Sequence, residues 1–200
     1  LSAEFSLFRH DDTLRKYLNG RVSTDYEPVD PDPDAAYDEI IRIDISKIEP
    51  LVVLPHKVAH NATEANLLAE TKIDQAFIGS CANGRIEDFE VAAEIMSGRQ
   101  VAPGVRMIVT PGSQKVLQEA LAKGYVETLM SAGVVVTNST CGACYGGHMG
   151  VLGDGEVCIT ASTRNFQGRM GSSEAEIYLG SPATVAASAV RGFITDPRDL

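Results

Sequence analysis

Two hydrophobic periodicities alternate along most of the chain. Residues 73–80, IDQAFIGS, form a short apolar run of strand type. The stretch RIEDFEVAAEIMSG that follows places Ile86, Phe89, Ala93 and Met96 on one helical face. The pattern then repeats. VRMIVT predicts a strand and SQKVLQEALAKG a helix, with Ser113 as its cap, Gly124 as its stop and Glu119 and Lys123 paired one turn apart. YVETLMSAG predicts a short helix, VVVTNS and EVCITAS two more strands, and PATVAASAVRG a closing helix. Strands that alternate with helices predict an α/β fold, a mostly parallel sheet flanked by helices.

The first forty residues read differently. DDTLRKYLNG predicts a short helix ending at Gly20, too poor in apolar residues to stand alone. EPVDPDPDAAYD, residues 27–38, carries three prolines and five acids and reads as an extended acidic connector. Residues 1–38 are therefore expected to be the tail of a preceding domain plus a connector, and 39–200 an α/β domain. Ile41, Ile43 and Ile45 alternate with polar residues, which predicts a strand just after the connector.

Composition narrows the function. The formal charge of −10 argues against nucleic acid and anionic membrane as partners, because both would repel the chain. No apolar run approaches the ~20 residues of a membrane-spanning helix. The opening LSAEFSLFRHDD lacks a signal-peptide pattern, so a reducing cytoplasm is the expected location. There, four cysteines point to metal binding or chemistry more than to a disulfide scaffold.

Three unusual segments each follow a predicted strand. Cys81 comes just past IDQAFIGS and before a helix, and Cys141 and Cys144 stand in STCGACYGGHMG just past VVVTNS. STRNFQGRMG, with Arg164 and Arg169, comes just past EVCIT. Ligands of parallel sheets collect outside the carboxyl ends of the strands, so all three segments are expected at one place. The C-x-x-C pair alone fits a disulfide, a zinc site or an open metal centre. Three converging thiolates suit a soft metal, whereas a structural zinc takes four closed ligands. Cys158 lies inside EVCIT between Val157 and Ile159, where a cysteine behaves as a small hydrophobe. A cubane iron–sulfur cluster on three cysteines leaves one iron open as a Lewis acid, whereas an electron carrier closes all four corners. The surrounding glycines let backbone approach such a cluster, and His148 is a candidate hydrogen-bond donor beside it. Arg164 and Arg169 suit carboxylate groups of a substrate.

IGSCANGRIEDF, STCGACYGGHMGVLGDGEVC, STRNFQGRMG and SPATVAASAV together resemble the aconitase superfamily. The likeness is greatest to the large subunits of its 3-isopropylmalate dehydratase branch and their homoaconitase-like relatives. It extends through VDPDPDAAYDEIIRIDIS and covers nearly the whole chain. The resemblance implies a [4Fe–4S] cluster on Cys81, Cys141 and Cys144, with Cys158 outside the ligand set. It implies that Arg164 and Arg169 bind substrate carboxylates. It also implies a hydro-lyase that moves a hydroxyl between adjacent carbons of a 2-hydroxy di- or tricarboxylate, by dehydration and rehydration. The implied partners are the N-terminal half of the large subunit and a small, swivel-domain subunit. That small subunit supplies the catalytic serine base, which nothing in this chain matches. Thr163 stands where relatives often carry asparagine.

Overall fold

The computed structural model describes residues 8–57 and 60–200. The opening residues 1–7, part of the stretch read for a signal peptide, lie outside the described residues. The chain divides into two compact units, Leu1–Asp44 and Ile45–Leu200.

In the first unit, helix α1 (Asp12–Leu18) begins where the Asp11 carboxylate accepts a hydrogen bond from the Leu14 amide at 2.8 Å. This satisfies one of the four unpaired donors of a helix start. Gly20 turns the chain out with φ +73°. The Arg21 guanidinium lies 4.5 Å over the Tyr17 ring. The acidic connector, residues 27–38, forms no helix or strand, as its prolines dictate. The strand expected over Ile41, Ile43 and Ile45 is not formed. These side chains are 59, 68 and 80 % exposed, and a short 3-10 turn begins at Ile45. Alternation marks a strand only where a neighbouring strand completes the hydrogen bonds, and none of the seven strands described below pairs with this segment.

The second unit is built on those seven strands: β1 (Leu51–Val53), β2 (Ala62–Glu64), β3 (Gln75–Gly79), β4 (Arg106–Thr110), β5 (Val135–Val136), β6 (Val157–Thr160) and β7 (Glu176–Leu179). They lie in the order β2-β1-β7-β6-β3-β4-β5. The five from β7 to β5 are parallel, and β1 joins β7 and β2 antiparallel. The helices are α2 (Ser80–Asn83), α3 (Ile86–Met96), α4 (Gln114–Ala122), α5 (Tyr125–Ser131) and α6 (Pro182–Arg191). As read from the sequence, Ser113 caps α4 by accepting from the Val116 amide, and Lys123 lies 3.7 Å from Glu119.

The strands sort their side chains by parity. Ala76, Ile78, Met107, Val109, Ile159 and Tyr178 share one core with Phe89 and Met96 of α3, Leu129 of α5 and Val185 of α6. Phe77, Ile108, Cys158 and Ile177 form the opposite core. Among the described residues no helix joins that second cluster; Ala143, Cys144, Leu152, Met170 and Ala175 from two connecting segments cover the face instead. Flanking helices were expected on the sheet in general, but here α3 to α6 share one side and the cysteine segment covers the other. The reason is compositional: residues 138–150 contain glycines at 142, 146, 147 and 150, which disfavour helix yet permit close approach to a sheet. The chain runs β3, β4, β5 in one direction and then returns to place β6 on the other side of β3. The carboxyl ends of β3 and β6 therefore flank a switch point, the usual ligand crevice of such sheets.

Candidate functional site

Cys81 follows β3 directly and precedes α3, as the sequence suggested, and it lies in a four-residue helical turn, α2, that the sequence reading did not include. Gly79 and Ser80 make the turn, with φ of +144° and +64°. A left-handed serine is strained, and such residues persist where the surroundings over-determine them. Here the restraint is Thr110, at the end of the neighbouring β4. A Cβ on Gly79 would collide with the Thr110 carbonyl oxygen, and one on Gly84 would lie 2.6 Å from it. The Gly112 amide donates to the Gly84 carbonyl at 2.7 Å, and the Asn83 side-chain amide donates to the Ala161 carbonyl beyond β6.

Thr110 also seats the second cysteine segment. Gly142, between Cys141 and Cys144, has φ +53°, and a Cβ there would come within 2.6 Å of the Thr110 Oγ1 and 3.1 Å of the Phe77 ring. Thr110 Oγ1 lies 2.9 Å from Thr137 Oγ1, which fixes the start of the segment after β5. The Cys144 amide donates to the Cys141 carbonyl at 3.1 Å, closing a tight turn. One residue thus touches both the Cys81 turn and the Cys141–Cys144 turn, sixty positions apart in sequence. All four cysteines are free; Cys81 and Cys141 are exposed, Cys144 and Cys158 buried.

The third segment meets the second through Arg169. Its Nε donates to the Cys144 carbonyl at 2.9 Å, and its Nη2 lies 3.7 Å from the Cys144 sulfur. Arg164 is exposed and contacts Thr163 Oγ1 at 3.3 Å. Arg169 is thus half-buried against the cysteine turn, whereas Arg164 projects to solvent. His148 is exposed, with Nδ1 3.4 Å from Thr140 Oγ1, on the same turn as the cysteines.

Cys158 stands apart. It is fully buried on β6 among Phe77, Ile177 and Met170. Burial pushes its thiol up to about 12. It remains a neutral thiol at physiological pH, whereas thiolates are the form that binds metal.

The chemistry of this donor set fits a polyatomic inorganic group. Cys81 and Cys141 are exposed free thiols on two turns that both pack on Thr110, Cys144 is the buried free thiol of the second turn, and positive-φ glycines shape both. The hydroxyls of Ser80 and Ser162, at the carboxyl ends of β3 and β6, are buried without a partner. Buried hydroxyls normally find one, so both are donors held in reserve beside the crevice. Among the described residues no three His, Cys, Asp or Glu side chains approach closely enough to hold one metal ion.

The sequence reading did not single out Thr110 or Ser80. The Gly79–Ser80 pair ahead of Cys81 was the available signal, since it breaks an otherwise apolar strand.

Residues 56–192 match the aconitase family (aconitate hydratase). A 3-isopropylmalate dehydratase large subunit of Mycolicibacterium smegmatis is 58 % identical over 200 residues, which is 100 % of this chain and 47 % of that protein. One of Aliarcobacter butzleri is 46 % identical over 205 residues, 99 % of this chain and 48 % of that protein. One of Moorella thermoacetica is 49 % identical over 194 residues, 97 % of this chain and 46 % of that protein. The chain spans about half the length of the curated relatives it matches.

Proposed function

The chain belongs to the aconitase family, and from that premise we propose that it is the cluster-bearing part of a hydro-lyase large subunit. The reaction is isomerisation of 2-isopropylmalate to 3-isopropylmalate in leucine biosynthesis, by loss and re-addition of water. On this reading residues 1–38 end a preceding domain and connect it to an iron–sulfur domain over 39–200. The partners are the remaining half of the large subunit and a small subunit. The setting is the cytoplasm; among the described residues no helix is long and apolar enough to cross a membrane. The observation that carries the reading is the meeting of three strand-end segments around Thr110 and Cys144.

Cys81, Cys141 and Cys144 would hold a [4Fe–4S] cluster, and Cys158 would not. With only three cysteines attached, such a cluster supplies an open iron that acts as a Lewis acid toward a departing hydroxyl. The chain's own residues do the binding and orienting. Arg164 offers an exposed guanidinium fork to one substrate carboxylate. Arg169 is pre-oriented by its bond to the Cys144 carbonyl, which leaves Nη1 for a second carboxylate. Fixing a diacid at two points before reaction lowers its entropic barrier. Neither arginine acts as a base, because a guanidinium stays protonated.

The test is anaerobic iron–sulfide loading of the chain, combined with the small subunit and the missing large-subunit portion of the Mycolicibacterium relative. Conversion of 2-isopropylmalate above the level of the partners alone is expected. Conversion of citrate or homocitrate instead would move the assignment to an aconitase or homoaconitase activity. A chain that never takes up iron would sink it. The reading as an electron carrier using all four cysteines is disfavoured by the complete burial of Cys158.

A further inference from the structure

Gln75 opens β3 on the face covered by the cysteine segment and is 0 % exposed. A buried amide amid Phe77, Ile108 and Cys158 is costly unless its polar atoms are bonded. Both ends are. Oε1 accepts from Arg106 Nε at 3.2 Å, and Nε2 donates to the Gly150 carbonyl at 2.8 Å. Arg106 has no acceptor to offer, so it fixes which way the amide faces. Arg106 is itself clamped by two bonds to Glu156, at 2.7 and 2.8 Å, and Glu156 accepts from the Gly153 amide at 2.8 Å. Gln75, Arg106, Glu156, Gly153 and Gly150 thus close a ring of hydrogen bonds through the chain itself.

Gly150 is where that ring meets the site. It has φ +61°, and a Cβ there would lie 3.0 Å from the Ala143 Cβ. Ala143 is fully buried between Cys141 and Cys144. We propose that Gln75 is a positioning residue for the Cys141–Cys144 turn: its amide holds Gly150, and Gly150 holds Ala143 against the sheet. The relevance to catalysis rests on the cluster-binding reading above; the mechanical claim does not. Glutamate has the same shape and still pairs with Arg106, while the general cost of burying its charge would fall on Cys81 and Cys144 alike. Glutamate lacks the N–H that reaches Gly150, so the proposal predicts that it fails.

The experiment is timed alkylation of the metal-free, reduced full chain with iodoacetamide, each cysteine followed by peptide mass spectrometry. In Gln75→Glu, Cys144 is expected to react about tenfold faster, the scale of one lost buried hydrogen bond. Cys81, on the other side of Thr110, is expected to stay within about twofold, which a general loosening of the fold would not allow. A folded Gln75→Glu chain whose Cys144 rate is unchanged overturns the proposal, as does equal acceleration of Cys81. Should Gln75→Glu not fold, Arg106→Met decides: it frees the amide to rotate, so Cys144 is expected to accelerate, and an unchanged rate refutes the proposal. Iron retained after anaerobic loading is measured in parallel and is expected to fall in either variant. If the unaltered chain binds no iron, the functional reading fails, while the alkylation rates still decide the role of Gln75.

Discussion

Gly142→Ala probes the seat of the cysteine turn with one methyl group. Two costs follow from the structure. The backbone at φ +53° lies in the left-handed region, where a side chain costs about 1–2 kcal/mol. The new Cβ would stand 2.6 Å from Thr110 Oγ1 and 3.1 Å from the Phe77 ring, on a residue pair that is fully buried. Neither neighbour has room to yield, since Thr110 is tied to Thr137 and Phe77 is packed on all sides. Overpacking of this kind costs about 1–3 kcal/mol. The sum is about 2–5 kcal/mol. Gly155→Ala separates the two costs: its φ is +72°, yet nothing lies within 4 Å of a Cβ there. It pays only the backbone cost. Thermal unfolding of both variants, metal-free and reduced, is the assay. Gly142→Ala is expected to melt lower than Gly155→Ala by roughly 3–10 °C, from the scaling for a chain of this size. Equal melting temperatures would refute the claim that the Cys141–Cys144 turn is pressed onto Thr110 and Phe77.

Three further outcomes follow from the same geometry. Arg169→Lys keeps the charge but loses the fork that grips the Cys144 carbonyl and, on the proposed function, a substrate carboxylate; on that proposal kcat/KM of the reassembled enzyme should fall by the equivalent of ~2–5 kcal/mol, and less than a twofold loss would count against it. The Arg106 guanidinium and the Gly153 amide hold the Glu156 carboxyl below its ordinary range, so this pair stabilises the fold at neutral pH and the contribution is lost as acid titrates Glu156 through its lowered value. Because the Arg106 side chain is 46 % exposed, Glu156→Gln should cost only about 0.5–1 kcal/mol at pH 7, and progressively less as pH falls through the lowered Glu156 value, in urea titrations across that range. Phe89→Ala empties a fully buried position between α3 and the sheet and should cost about 3–5 kcal/mol by the same titration without changing the alkylation rate of Cys141.

Much of this architecture was legible because long amphipathic elements declare themselves. Phe89, Ala93 and Met96 repeat at helical spacing and are buried together, and the parallel strands β3, β4 and β6 fall inside the apolar runs that predicted them. The strands β1, β2 and β7 escaped, since three or four residues cannot establish a period, and the equally short β5 and β6 were legible only as parts of longer apolar runs. Ile41, Ile43 and Ile45 misled for the opposite reason: the period was present and the pairing strand was not. At the site, the convergence of three strand ends was readable from topology, and the burial of Cys158 from its apolar neighbours. The roles of Thr110 and Gln75 were not readable. A threonine ending a strand and a glutamine opening one carry no local signal; their importance lies in contacts 27 to 75 residues away.

The central claim is that three cysteines, and not four, attach the inorganic group. Mössbauer spectroscopy of the chain loaded anaerobically with iron-57, unaltered and as Cys158→Ser, tests it most directly. One iron of four distinct from the rest, with identical spectra from both proteins, is the result predicted. Four equivalent irons in the unaltered chain, with the cluster lost in Cys158→Ser, would contradict it.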